Sequence, residues 1–207
     1  MDRSKPFVIT ISRQIGSGGA YIGQQLAKKL NIYYADREIL GIAAEKLSVL
    51  EKDLEQQEEK LQSFWETYFQ ISKYATDAYL NPKLIQPTTF ELFNTESEII
   101  KHIASEQSAV IIGRCGFHIL RKHTNRVSVF LHADTAFRGK RIQDMYKVSE
   151  KEALEMITRT DKERARFIEE YTGMKWTDAR QFDLCIDTGK IGIDKSVDII
   201  IHFLESI

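Results

Sequence analysis

The chain has 207 residues, enough for one domain with a substantial core and a small appended subdomain. Its 29 basic and 30 acidic residues nearly cancel, so no global field favours nucleic acid or a membrane surface as partner. Cys115 and Cys185 lie too far apart for a metal motif, no apolar run approaches the roughly 18–20 residues that span a bilayer, and residues 1–5 lack an apolar leader core, so the expectation is a cytoplasmic protein without disulfides.

In chain order, Phe7–Ile11 is an uncharged run of aromatic and β-branched residues and predicts a buried strand. Ile22, Leu26, Ala27 and Leu30 form one stripe of a helix, and Gly16, Gly18 and Gly19 fill the turn between. A strand, a glycine-rich loop and a helix N-terminus in succession make an anion site. Glycines let backbone N–H groups turn inward, and the helix end adds partial positive charge. Three glycines in four residues exceed what a plain β–α turn requires, so Gly16, Ser17, Gly18, Gly19, Ala20 and Tyr21 are expected to bind phosphate. Asn31 stops the helix and Ile32–Ala35 reads as a short second strand. Asp36 is readable as the cap of the following helix or as a ligand contact at the strand's end.

Residues 51–62 are charged and glutamine-rich, whereas 64–79 carry Phe64, Trp65, Tyr68, Phe69, Ile71, Tyr74 and Tyr79, too many for one narrow stripe. That helix is expected either to be well buried or to form a homodimer face. Thr88-x-x-Glu91 and Thr95-x-x-Glu98 are capping-box patterns, the second placed to open a helix through Ile99, Ile100 and Ile103. Ala109–Ile112 is an apolar strand running into Gly113-Arg114-Cys115-Gly116, which puts Arg114 where open α/β sheets bind ligands. Arg126–His132 alternates into a strand and Asp134 caps the next helix. Ser149-x-x-Glu152 opens a long helix carrying Arg159, Asp161, Arg164 and Arg166, and Gly173 closes it. Leu184–Asp187 is the last strand, Gly189 and Gly192 make a turn, and Asp194 caps an amphipathic closing helix.

This alternation predicts an α/β fold: one domain over 1–207 with a five-stranded parallel sheet and helices on both faces. A helical insertion spans 41–95 and a lid region 149–180. The five histidines show no metal spacing, and no dinucleotide fingerprint is in register.

Taken together, Ile11-Ser12-Arg13-Gln14-x-Gly16-Ser17-Gly18-Gly19, Tyr34-Ala35-Asp36-Arg37-Glu38, Ile111-Ile112-Gly113-Arg114-Cys115, Thr160–Arg166 and Ile186-Asp187-Thr188 resemble the cytidylate kinase-like family of P-loop nucleoside monophosphate kinases. The resemblance implies transfer of the γ-phosphoryl of ATP, with Mg²⁺, to a nucleoside monophosphate, typically CMP or dCMP. It implies donor phosphates on the 16–21 loop, with Arg13 at its base. Asp36, Arg37, Arg114 and Asp161 would lie on the substrate side, and Arg164, Arg166 and Arg159 would act from the lid. An orthodox loop reads G-x-x-x-x-G-K-[ST]. Laid on Gly18, that pattern puts Arg13 at the first glycine, Gly19 at the lysine and Ala20 at the metal-binding hydroxyl. Arg13 is a candidate for the missing charge, and Ser12 or Ser17 for the missing hydroxyl. Ile112 stands where cytidylate kinases carry the aspartate that reads cytosine. The alternative is a phosphate- or nucleotide-binding sensor that has lost catalysis.

Overall fold

The computed structural model describes residues 4–36 and 90–207. The predicted 64–79 helix, Arg37 and all of the proposed insertion before Phe90 lie outside them.

Strands β1 (Val8–Arg13), β2 (Tyr33–Ala35), β3 (Ala109–Ile112), β4 (Arg126–His132) and β5 (Leu184–Asp187) form one sheet in the order β2-β3-β1-β4-β5. Every pairing is parallel, as the predicted alternation requires. Between and after the strands lie α1 (Gly19–Leu30), α2 (Phe90–Glu106), the short α3 (Gly116–Ile119), α4 (Thr135–Tyr146), α5 (Glu150–Thr172), the short α6 (Thr188–Ile191) and α7 (Ile193–Ser206).

Strand residues alternate between the two faces. Ile9, Ile11, Val110, Ile112, Val129 and Leu131 pack with Ile22 and Leu26 of α1 and Ile200 and Leu204 of α7. Val8, Ala109 and Ile111 point the other way, onto Ile99, Ile100 and Ile103 of α2. Burying each such side chain contributes about 1.5–3 kcal/mol, and with both faces covered charges are confined to the strand ends, as at Arg13 and Arg126. A third, aromatic cluster lies under α5, where Phe93 of α2 stacks on Tyr171 (centroids 4.4 Å apart) and meets Phe167 edge-on at 6.2 Å.

Local signals account for most element ends. Asn31 closes α1 in the left-handed conformation (φ 52°), Asp134 accepts from the Phe137 amide at 2.7 Å, and both halves of the Ser149–Glu152 capping box are formed. Two expectations are corrected. Helix α2 already includes Phe90, so Thr95 is interior and opens nothing; Phe93 extends the apolar face upstream and pulls the earlier turn into the helix. Asp194 does not cap the closing helix: Gly192 holds the N-cap position, and Asp194 sits in the first turn. The Gly189–Gly192 turn is itself the one-turn helix α6, capped by Asp187, whose carboxylate accepts from the amides of Gly189 and Lys190.

The strand order reverses at β1: the chain leaves β1 toward β2 and later crosses to β4 on its other side. Ligands of open parallel sheets settle outside the carboxyl ends at such a point. Arg13, Gly113 and Ala133 all follow or end strands there.

Candidate functional site

At the end of β1 the chain turns through Gln14–Gly18 into α1. Gly18 is the N-cap, in the left-handed conformation (φ 83°), with no side chain to satisfy the helix, and the first turn carries no acidic residue. The amides of Gly19, Ala20 and Tyr21 have no acceptor within the helix, which leaves an uncapped positive end.

The loop is held from outside by α4 and α5. Arg164 Nη1 donates to the Arg13 carbonyl at 2.8 Å, Arg138 Nη1 to the Ile15 carbonyl at 3.3 Å, and Arg141 Nε to the Gly16 carbonyl at 3.1 Å. Asp161 joins them: one oxygen accepts from the Ile15 amide at 3.1 Å and the other from Arg138 Nη1 at 2.6 Å. The Ile15 side chain is buried with Ile142, Ala153 and Ile157 of the α4–α5 hairpin. Gly16 (φ 80°) lies so close to Arg138 that a Cβ would stand 3.0 Å from that residue's own Cβ and carbonyl oxygen. Beside the loop, a cleft of about 540 Å³ opens between Tyr21, Phe137, Arg141, Met145, Ile193 and Asp194. The Tyr21 hydroxyl donates to Asp194 at 3.0 Å, and that bond raises its pKa.

On the other side of β1, the turn after β3 has three successive left-handed residues, Gly113 (φ 70°), Arg114 (φ 50°) and Cys115 (φ 54°). Non-glycine residues seldom adopt this conformation, and such strain concentrates at functional sites. Arg114 Nη1 stands 3.3 Å from Glu96 Oε1 of α2. Glu96 is completely buried, and neither carboxylate oxygen accepts a hydrogen bond among the described residues. Burial pushes its pKa up, and the charge of Arg114 pulls part of the way back. Burial first, then Glu96, push the Cys115 thiol up to about 12 and so disfavour the thiolate, against the downward pull of Arg114.

Among the expected site residues, Arg13, the 16–21 loop, Arg164 and Asp161 come together at the end of β1. Asp36 follows β2, nearly buried, with the Tyr34 hydroxyl 3.3 Å from its Oδ2. Asp161 is committed to Arg138 and the loop, while Arg159 and Arg166 are exposed on α5. Reasoning from sequence missed Arg138, Arg141 and Glu96. Two of these carried a readable signal: Arg138 is four residues before buried Ile142, and Glu96 falls three after Phe93 and four before Ile100, so each is a charge inside an apolar stripe.

The side chains do not fit a protein-held metal of the usual P-loop kind. Residue 20 is alanine, and Ser17 is fully buried with its hydroxyl donating to the Gln14 carbonyl at 2.8 Å. Among the described residues, no group of three or more His, Cys, Asp or Glu is disposed around one point. No helix among them is long and apolar enough to cross a membrane.

A family model for the cytidylate kinase-like family matches residues 8–190. A cytidylate kinase of Sulfolobus acidocaldarius is 28% identical over 95% of this chain and 93% of its own. That of Saccharolobus islandicus is 25% identical over 54% of this chain, which spans 59% of that relative's length. Among solved structures, an uncharacterized protein from Eubacterium ventriosum superposes with a TM-score of 0.72 at 28% identity, covering 97% of this chain and 99% of that one. The shikimate kinase of Bacteroides thetaiotaomicron shares the fold, with a TM-score of 0.53 at 16% identity over 96% and 98% of the two chains. With the model matching nearly the whole length, on a five-stranded parallel sheet whose glycine loop sits at the reversal of strand order, the chain belongs to the cytidylate kinase-like family.

Proposed function

We propose that the chain is a cytoplasmic, ATP-dependent kinase of a nucleoside monophosphate of CMP or dCMP type, or of a similarly small phosphoryl acceptor. The observation that supports this reading is that two candidate anion sites follow the carboxyl ends of adjacent parallel strands. One is the uncapped loop and helix end at 16–21; the other is Arg114, at the end of the adjacent strand β3.

In this reading the amides of Gly16–Tyr21, with Arg13 and Arg164, take the donor phosphates, and the cleft beside Arg141 and Tyr21 takes the rest of ATP. Arg114 grips the acceptor phosphate with its planar fork, and Asp36, with Arg37, flanks the acceptor. The terminal phosphoryl leaves the β-phosphate oxygen of ATP and bonds to a phosphate oxygen of the acceptor, giving ADP and a diphosphate. Phosphoryl transfer needs alignment and positive charge rather than a covalent intermediate, and the arginines are suited to both. Mg²⁺ enters as part of the substrate, bound to the ATP phosphates. Arg166 and Arg159, exposed on α5, would join only on closure of the 149–180 region.

The test is purified protein with Mg·ATP and a panel of CMP, dCMP, UMP, AMP and GMP, followed by chromatography for the diphosphate. Acceptor-dependent ADP formation well above ATP hydrolysis is the expected result. Tight ATP binding with no product from any acceptor would favour the sensor reading, which one observation supports: Ser17, a candidate for the missing hydroxyl, is turned into the protein.

A further inference from the structure

Glycine at position 19 is not required by the backbone. It opens α1 in an ordinary helical conformation, not the left-handed one that would exclude other residues. The exclusion comes from a side chain. A Cβ on Gly19 would stand 2.6 Å from Cγ of Arg13, 2.8 Å from its Cβ and 3.4 Å from its Cδ. The aliphatic stem of Arg13 thus crosses the position from which a P-loop lysine would grow. The far end of the same side chain is equally constrained: a Cβ on Gly113 would land on Arg13 Nη1. Arg13 is 8% exposed, and it lines a narrow cleft with Gly16, Gly18, Gly19 and Arg164.

We infer that Arg13 is the P-loop cation of this protein, moved to the other end of the motif. In G-x-x-x-x-G-K the first position is glycine and the seventh is lysine. Here the first is Arg13 and the seventh Gly19, a reciprocal exchange that leaves one cation and one empty space. The cation approaches the loop from β1 instead of α1, and its guanidinium ends beside Gly113, next to the acceptor-side Arg114. Gly113, already needed for its left-handed turn, also leaves the space that the Arg13 guanidinium fills. The inference rests on reading the 16–21 loop as the phosphate site. It extends that reading by making Arg13 and Gly19 a single unit.

The experiment measures ATP affinity by titration calorimetry on the full chain, with circular dichroism melts as the fold check. R13M keeps a side chain of similar reach without its charge, and it is expected to weaken ATP about tenfold or more, the weight of one charge-assisted contact. G19K alone is also expected to lose affinity, because two stems claim one space. R13G/G19K rewrites the stretch as G-x-x-x-x-G-K and is expected to recover at least about tenfold over R13M, more than independent effects of the two changes allow. R13K, retaining a cation, keeps affinity within about fivefold of the unaltered chain and covers the case in which the double variant fails to fold. Affinity of R13M within about twofold of the unaltered chain overturns the inference, as does a folded R13G/G19K that binds no better than R13M. Recovery in the double variant, in a chain that phosphorylates no monophosphate, would leave this inference standing and remove the kinase reading.

Discussion

The two halves of the proposed site, the loop after β1 and the turn after β3, are built differently. The proposed donor loop is held by many contacts: three arginines on the carbonyls of Arg13, Ile15 and Gly16, Asp161 on an amide, and Ile15 buried in the α4–α5 hairpin. The proposed acceptor side rests on three consecutive left-handed residues and one ion pair, Arg114–Glu96, in which the buried carboxylate accepts no hydrogen bond among the described residues. A loop whose carbonyls are already satisfied presents its amides without rearrangement. A buried pair with spare hydrogen-bonding capacity is instead costly as it stands and changes when another charge arrives. In the proposed reaction the donor side is therefore preorganised, and the acceptor side completes itself around its substrate.

The sharpest way to break this contrast is to remove the donor side's tie. Asp161→Ala strands the nearly buried Arg138 and frees the Ile15 amide, and by the cost of breaking a buried pair it is expected to lower stability by about 3 kcal/mol. Chemical denaturation would measure this; a loss within experimental error would mean that the loop is not held by this contact. On the acceptor side, Arg114→Met is expected to lower kcat/KM for the monophosphate by about 2–3 kcal/mol, or some 30- to 150-fold, with ATP affinity changed less than about twofold. Equal losses toward both substrates would erase the division between the two sides.

A smaller effect comes from Glu96. Its folded-state pKa lies above the ordinary 4.5, so the folded protein holds this proton to higher pH than the unfolded chain does. The stability associated with the protonated form is complete below about pH 4.5 and is lost as pH rises through the folded pKa, at no more than about 1.4 kcal/mol per pH unit. Denaturation of the parent chain and Glu96→Gln across pH 4–8 should show that slope in the parent and its loss in the variant; parallel curves would place the proton elsewhere. Least visible of all is the difference between the thiols. At pH 8 a disulfide reagent should titrate the exposed Cys185 and leave Cys115 unreacted until the protein unfolds.

How much of this was legible in the sequence follows from how local each cause is. The ends of β3, β4 and β5 are readable because a covered parallel strand must be uncharged or alternating within a few residues, and capping groups stand next to the ends they fix. The loop's glycines point to phosphate for the same reason. Arg138 could be read as a charge inside an apolar stripe and Arg141 only as a helix-surface charge; the carbonyls they hold could be read for neither, since these lie more than 120 residues earlier in the chain. Asp161 was visible as part of a family pattern, but its commitment to Ile15 and Arg138 depends on how α5 docks. Arg13 illustrates the limit best: its position and charge were plain, yet only the space around Gly19 and Gly113 reveals where its side chain goes.

The rings of Phe93, Phe167 and Tyr171 join α2 to α5, and so join the helix that holds Glu96 to the helix that holds Arg164. Such a contact between two proposed binding elements is a route by which they could be thermodynamically coupled. Whatever factor the monophosphate imposes on the affinity for ATP through this contact, ATP must impose on the affinity for the monophosphate. We expect that factor to differ from one in the parent chain and to move toward one in Phe93→Ala; calorimetric titration of each nucleotide with and without the other would measure it, and an unchanged factor would mean that the aromatic contact transmits nothing.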